Sequence, residues 1–269
     1  MILELVGITK TFTVGAERVE ALVGVALALA RGEFVTVIGS NGAGKSTLLN
    51  VIAGTTRPSA GRVRVGGRDV TAWPAHRRAR FVGRVFQDPL RGTATHMTVA
   101  ENLALARRKG RRGLRLALTP SKHKALAEAV ARLGMGLESR LSERVEHLSG
   151  GERQALAVLM ATLTRPNLLL LDEHTAALDP ANAARVLHIT EELVGEAGIT
   201  TLMVTHRMDQ ALSLGDRLIM MHKGRVLFDL NGERKWGLGV GDLVALFQRV
   251  GVTDDELLLG PQSVTCSQQ

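Results

Sequence analysis

The chain has 269 residues, with 34 Lys and Arg against 26 Asp and Glu for a net charge of +8, and 45% of it is hydrophobic. That length supports a substantial core without staples. The single cysteine, Cys266, excludes an internal disulfide and points to a reducing compartment. The longest unbroken apolar run, residues 21 to 30, is about half of what a membrane helix needs. The opening MILELVGITK lacks the basic-then-apolar layout of a signal peptide, so a cytosolic chain is expected. The absence of tyrosine and the 3% aromatic content argue against a stacking platform for single-stranded nucleic acid.

In chain order, residues 2 to 38 read as short strands, ILELVGITKTF, ERVEALVGVALALA and, after the Arg31-Gly32 turn, EFVTVIG. The last runs through glycines into a helix predicted from Ser46 to Ala53, ended by Gly54 with Pro58 beyond. GRVRVGGRDV is a strand pair, and RFVGRVFQDP a strand closed by Asp88-Pro89. From about 90 to 164 the pattern turns helical. TVAENLALARR opens with Thr98 three residues before Glu101, a capping-box spacing, and SKHKALAEAVARLG and SGGERQALAVLMATL follow. Within this region ARRKGRRGLR, residues 106 to 115, carries six basic residues and no acid, either a solvated loop or a surface for anionic headgroups or nucleic acid.

The four leucines of LLLLDEHTAALDP, residues 168 to 180, predict a strand buried on both faces, with Asp172 and Glu173 at its carboxyl end, where open α/β sheets bind ligands. A helix from Pro180, a strand GITTLMVTH, another helix and a hairpin turning at Lys223-Gly224 complete the core. Residues 240 to 250 form a short amphipathic helix with Leu243, Leu246, Phe247 and Val250 on one side, and the tail PQSVTCSQQ is expected to be disordered. There is no internal repeat at solenoid periods.

GSNGAGKST, residues 39 to 47, fits G-x-x-x-x-G-K-[ST] between a strand and a helix, the context that a phosphate loop demands. Glycines let backbone N–H groups converge on phosphate oxygens, and the helix N-terminus adds partial positive charge. Gly39, Ser40, Asn41, Gly42, Ala43, Gly44, Lys45, Ser46 and Thr47 are therefore candidate nucleotide-binding residues, with Lys45 on the β- and γ-phosphates and the Ser46 hydroxyl on Mg²⁺. An acid at the end of a neighbouring strand is then the expected metal partner, which is Asp172. Glu173, one residue on, is the candidate general base for an attacking water.

LSGGERQAL, residues 148 to 156, reads locally as a helix capped by Ser149 with Glu152 three residues on. Its two leading glycines also make the helix N-terminus a second anion site. Together with the phosphate loop it resembles the signature of ATP-binding-cassette (ABC) ATPases, and the likeness runs from about residue 2 to 230 in the family's order. The resemblance implies a P-loop α/β core, about 1–89 and 165–230, with an antiparallel β subdomain and an inserted helical subdomain at about 90–164; residues 231–269 are an extension.

It further implies that Ser149, Gly150, Gly151 and Glu152 close on nucleotide held by a second copy, in a head-to-tail dimer. Gln87 in VFQDP matches the glutamine that touches Mg²⁺ and the attacking water, His206 in MVTHRMD the histidine that contacts the γ-phosphate, and Asp179 in AALDP the loop that crosses to the partner. Phe12 takes the place of the usual adenine-stacking tyrosine. Two departures stand out: Glu152 where glutamine is common, and His174 where proline often follows the catalytic acid. The implied function is the ATP-hydrolysing subunit of a transporter, with ATP and Mg²⁺ bound, at the cytoplasmic face of the membrane. It would energise import of a small solute such as an amino acid through separate permease subunits and a substrate-binding protein. A soluble ABC ATPase acting on nucleic acid or ribosomes is the alternative. A small-molecule kinase leaves LSGGERQ, Gln87 and His206 unexplained, and no nucleic-acid partner is expected.

Overall fold

The computed structural model describes residues 1–107 and 119–249. In chain order come β1 (Leu3–Val14), β2 (Glu17–Leu29), β3 (Phe34–Gly39), α1 (Lys45–Ala53), β4 (Ala60–Val65), β5 (Arg68–Asp69), α2 (Ala75–Arg78) and β6 (Val82–Val85). Three helices follow: α3 (Val99–Ala106), α4 (Pro120–Ala131) and α5 (Gly150–Thr162). The chain then returns to the sheet with β7 (Leu168–Asp172), α6 (Pro180–Ala197), β8 (Thr200–Val204), α7 (Met208–Ser213), β9 (Arg217–His222) and β10 (Arg225–Asn231), and ends in α8 (Glu233–Trp236) and α9 (Val240–Arg249).

Two sheets carry the molecule. One is antiparallel in the order β2-β1-β4-β5, and the other has the order β10-β9-β3-β8-β7-β6. In the second, β9, β3, β8, β7 and β6 run parallel and β10 turns back along the edge. The four leucines of β7 are buried, Asp172 at its end is partly so, and the side chains alternate as the pleat requires. Leu168 and Leu170 join the core shared with the antiparallel sheet and α1, while Leu169 and Leu171 join the core beneath α3 to α6.

Local signals set the helix ends. Thr98 and Ser149 each close a reciprocal capping box with the Glu three residues on. Gly54 and Gly198 end α1 and α6 in the left-handed conformation. The turn at Lys223 and Gly224 has φ of 45° and 74°, positive at both central residues as a two-residue hairpin requires. In α9, Leu243 and Phe247 are buried and Leu246 packs partly against the same cluster; Val250 lies outside the described residues, as do the basic run from Arg108 onward and the tail.

Two short helices, α2 and α8, were not foreseen in the sequence, because neither carries an apolar period. Arg78 at the end of α2 is buried, and it donates to the carbonyls of Val51 and Ile52 at 2.6 and 2.9 Å, and to Trp73 and Thr71 at 3.0 and 3.1 Å. It thereby satisfies the carbonyl end of α1, the helix that begins at the phosphate loop.

Candidate nucleotide site

The register of the parallel strands assembles the rim. Val85 lies opposite Leu171, Asp172 opposite Val204, and Val37 opposite Val204. Gln87, two residues past Val85, is therefore level with Glu173, two past Leu171, and Glu173 in turn adjoins Thr205-His206 on the next strand. The loop from Gly39 leaves the same carboxyl edge from β3. Four separate sequence motifs thus lie along one edge, as open parallel sheets arrange ligand sites.

The loop itself is clamped from behind. A Cβ on Gly39 would lie 2.2 Å from the carbonyl oxygen of Met221, and one on Gly44 would lie 2.4 Å from that of Ala21. Gly44 also has φ of 98°, which a side chain resists. Gly224 N–H donates to Ala43 O at 3.0 Å, so the β9–β10 turn seats the loop. Lys45 is buried, and its Nζ donates to Gly39 O at 2.6 Å and Ser40 O at 3.1 Å. Burial lowers its ammonium below the usual range, opposed by Glu173 and then Asp172. Ser40 Oγ lies 3.3 Å from His222 Nδ1.

In front of the loop opens a cleft of about 480 Å³, lined by Asn41 to Thr47, Glu173, Phe12 and the segment Val19 to Ala21. Phe12 is partly exposed on β1, with Lys10 Nζ 4.8 Å from its ring centroid. Gln87, Asp172 and His206 lie on the rim without lining this cleft.

Glu173 departs from the strand. β7 ends at Asp172, and Glu173 takes φ of 46°, unfavourable for a residue with a side chain, while its N–H donates to Val204 O at 3.0 Å. Its Oε2 stands 3.7 Å from His206 Nδ1, too long for a hydrogen bond but close for a charge contact. The facing His206, against the opposing effect of burial, holds the Glu173 carboxyl below the usual range, and Lys45 adds to this. His174 turns inward and is almost wholly buried, with Nε2 3.3 Å from Thr190 Oγ1. Thr190 gives its own proton to Val186 O at 2.7 Å, so Nε2 carries the imidazole proton and donates. Burial pushes this histidine down to about 4, which keeps it neutral and removes it from proton transfer at the rim.

The signature residues stand elsewhere, where α5 and α6 begin side by side. A Cβ on Gly151 would lie 2.8 Å from Asn182 Oδ1, and one on Gly150 would lie 3.5 Å from Leu178. Asp179 caps α6, accepting from Asn182 N at 3.1 Å and from its Nδ2 at 2.6 Å. Ser149 caps α5 with Glu152 answering at 2.7 Å. These residues and the cleft are not brought together within one copy.

The ABC transporter profile matches residues 22–176, from β2 through the phosphate loop and signature to the turn after Glu173. The tyrosine transport ATP-binding protein of Clostridioides difficile is 46% identical over 81% of this chain and 86% of its own length. The chain belongs to the ABC transporter family. A methionine import ATP-binding protein of Oceanobacillus iheyensis is 33% identical over 84% of this chain and 64% of that relative. A dimeric ATP-binding cassette, solved in a post-hydrolysis state with ADP and Pi, aligns with a TM-score of 0.72 at 28% identity, covering 85% of this chain and 98% of that one. The cassette is thus an ATP-binding, ATP-hydrolysing subunit of an uptake transporter. Among its described residues no helix is long and apolar enough to cross a membrane.

Two arginines of the cassette escaped the sequence reading. Arg84 on β6 donates from Nη2 to Asp172 Oδ2 at 2.7 Å and from Nη1 to Asn50 Oδ1 at 2.7 Å. A charged residue inside the apolar run FVGRVF was the available signal. Arg140 reaches Glu152 Oε1 at 2.5 Å, with nothing in its sequence surroundings to announce it. Buried Asn102 was also missed; it holds the loop before α3 by bonds to Ala94 and to the carbonyls of Met97 and Thr98. The donors near the loop suit a hard divalent cation, since Ser46 is an exposed hydroxyl at the start of α1 and Asp172 a carboxylate with Oδ2 engaged by Arg84.

Proposed function

We propose that two copies of this cassette close head to tail on two ATP molecules, and that this motion drives import of an amino acid through separate permease subunits. The observation that carries the reading is the pairing of Glu173 with His206 on the rim beside the Lys45 loop. Lys45 exchanges the carbonyls of Gly39 and Ser40 for the β- and γ-phosphates. Residues 39 to 47 supply backbone N–H groups, and Phe12 packs against the base. Ser46, Asp172 and Gln87 hold Mg²⁺, which when bound offsets phosphate charge. Glu173, unprotonated at neutral pH, accepts the proton of the attacking water, while His206 contacts the γ-phosphate and steadies the acid.

The glycine-led start of α5 supplies the second anion site, so Ser149, Gly150, Gly151 and Glu152 of one copy meet the nucleotide of the other, with Asp179 reaching across. Gln154 Nε2 donates to Phe86 O at 3.2 Å, tying the residue before Gln87 to the signature helix. Through that link the helical segment, about 90–164, passes closure to the permease. The cassette sits on the cytoplasmic face of the membrane, held by the permease and served by a substrate-binding protein. An amino acid is the proposed cargo because two relatives are named for tyrosine and methionine.

Replacing Glu173 with Gln tests the chemistry. ATP binding and ATP-dependent dimerisation are expected to persist while hydrolysis falls by at least about a hundredfold. Hydrolysis near the parent rate in a clean preparation would refute the assignment of Glu173. Stimulation of the assembled transporter's ATPase by a binding protein loaded with tyrosine or methionine, but not with an unrelated solute, tests the cargo.

A further inference from the structure

The signature helix carries an electrostatic problem. Glu152 occupies its third position, where the N–H groups of α5 are to receive phosphate, and a carboxylate there repels the polyanion that the helix end otherwise attracts. Glutamine in this position would raise no such conflict.

The structure contains the compensation. Glu152 Oε2 accepts from Ser149 N–H at 2.7 Å, and Oε1 accepts from Arg140 Nη1 at 2.5 Å. Arg140 is in turn held from the other side by Glu143, through Nε at 2.7 Å and Nη2 at 3.0 Å. The guanidinium therefore has one orientation, with two of its nitrogens on Glu143 and the third on Glu152. Burial works against ionisation of Glu152, but the Ser149 amide and Arg140 more than offset it and leave the carboxyl below its usual range. The segment bearing Arg140 is itself tied to the start of α3: Ala100 N donates to Leu141 O and Val99 N to Glu143 O, both at 2.9 Å, and Val145 N donates to Met97 O at 3.1 Å. Arg140 thus joins the stretch that follows Gln87 to the first turn of the signature helix.

We propose that Arg140 is a positioning residue for the second phosphate-binding face, neutralising and fixing Glu152 so that the N–H end of α5 accepts a nucleoside triphosphate carried by the second copy. This rests on the head-to-tail reading given above. Its charge logic is specific. Glu143, Arg140 and Glu152 together carry one net negative charge; removing the arginine makes it two, and also removing the carboxylate of Glu152 returns it to one.

The experiment uses the full chain carrying Glu173→Gln, in which the closed dimer is expected to persist without turnover, and reads the ATP concentration at half-maximal dimerisation by light scattering. Arg140→Met is expected to raise that concentration about tenfold. The same substitution made together with Glu152→Gln is expected to shift it by less than about threefold. Arg140→Lys, which keeps the charge but loses the planar fork, is expected to stay near the parent. Affinity of the single copy for a fluorescent ATP analogue, measured below the dimerisation range, separates this effect from the phosphate loop.

If Arg140 only braces the fold, Lys fails as Met does and Glu152→Gln restores nothing; that result overturns the inference, as does an unshifted Arg140→Met. Should Arg140→Met not fold, the Arg140→Lys variant and the double variant decide between the same two outcomes. A parent that stays monomeric at saturating ATP overturns the head-to-tail reading and the inference together, whereas a parent that dimerises while the arginine variants do not differ from it overturns the inference alone.

Discussion

Arg84 Nη2 lies 2.7 Å from Asp172 Oδ2, with both side chains largely enclosed, and so locks the strand leading to Gln87 against the acid that ends the leucine strand. The same guanidinium reaches Asn50 on α1 and lies 4.7 Å from the Phe86 ring centroid. One side chain therefore braces the phosphate-loop helix, β6 and β7.

Arg84→Met is expected to leave Asp172 unpaired in a poorly solvated position and to destabilise the fold by about 2–3 kcal/mol. Urea denaturation followed by circular dichroism measures this. An unchanged midpoint and slope would show that Asp172 finds solvent or another partner easily.

His174 makes stability depend on pH in a defined direction. Its folded value, about 4, lies below the ordinary 6.5, so above pH 6.5 the ring is neutral in both states and stability is full. As pH falls from 6.5 towards 4 the unfolded chain takes up a proton that the folded chain refuses, and up to about 3 kcal/mol is lost. His174→Asn should flatten that part of the curve, read from denaturation midpoints of both proteins at a series of pH values. A parallel decline in the two proteins would assign the acid sensitivity to other groups.

Gly151→Ala places a methyl group 2.8 Å from Asn182 Oδ1, and Asn182 is held by Asp179 on both its backbone and side-chain nitrogens. Relief requires separating the starts of α5 and α6 or breaking the Asp179 cap, at a cost of about 1–3 kcal/mol. Calorimetry should show a lower Tm, and steady-state ATPase a lower rate than the Tm loss explains. A variant with parent-like Tm and rate would show that the two helix ends move apart freely.

Arg78→Met strips the carbonyl end of α1 of a donor that serves four carbonyls. Burial lowers its guanidinium to about 10, still charged at neutral pH. A loss of about 2–4 kcal/mol is expected, visible as a lower Tm. Because α1 begins at Lys45, ATP affinity measured by calorimetry should weaken as well; full affinity in a destabilised variant would mean that the front of α1 holds without its far end.

The amino-acid sequence by itself determined what depends on neighbours a few residues away. The glycine spacing and Lys45 specify a phosphate loop between strand and helix, Thr98 with Glu101 and Ser149 with Glu152 specify two capped helices, and the leucine run specifies a buried strand. Each is legible because its hydrogen bonds or burial pattern closes within one turn or one pleat. Tertiary structure alone decided the strand order β10-β9-β3-β8-β7-β6, which sets Glu173 facing His206 and Arg84 against Asp172, its partner 88 residues away. It also decided that His174 turns into the core, because Glu173 adopts a left-handed conformation that no strand periodicity anticipates. Contacts across such separations follow from which strands lie side by side and from backbone strain held in place by surrounding packing, and neither leaves a local pattern to read.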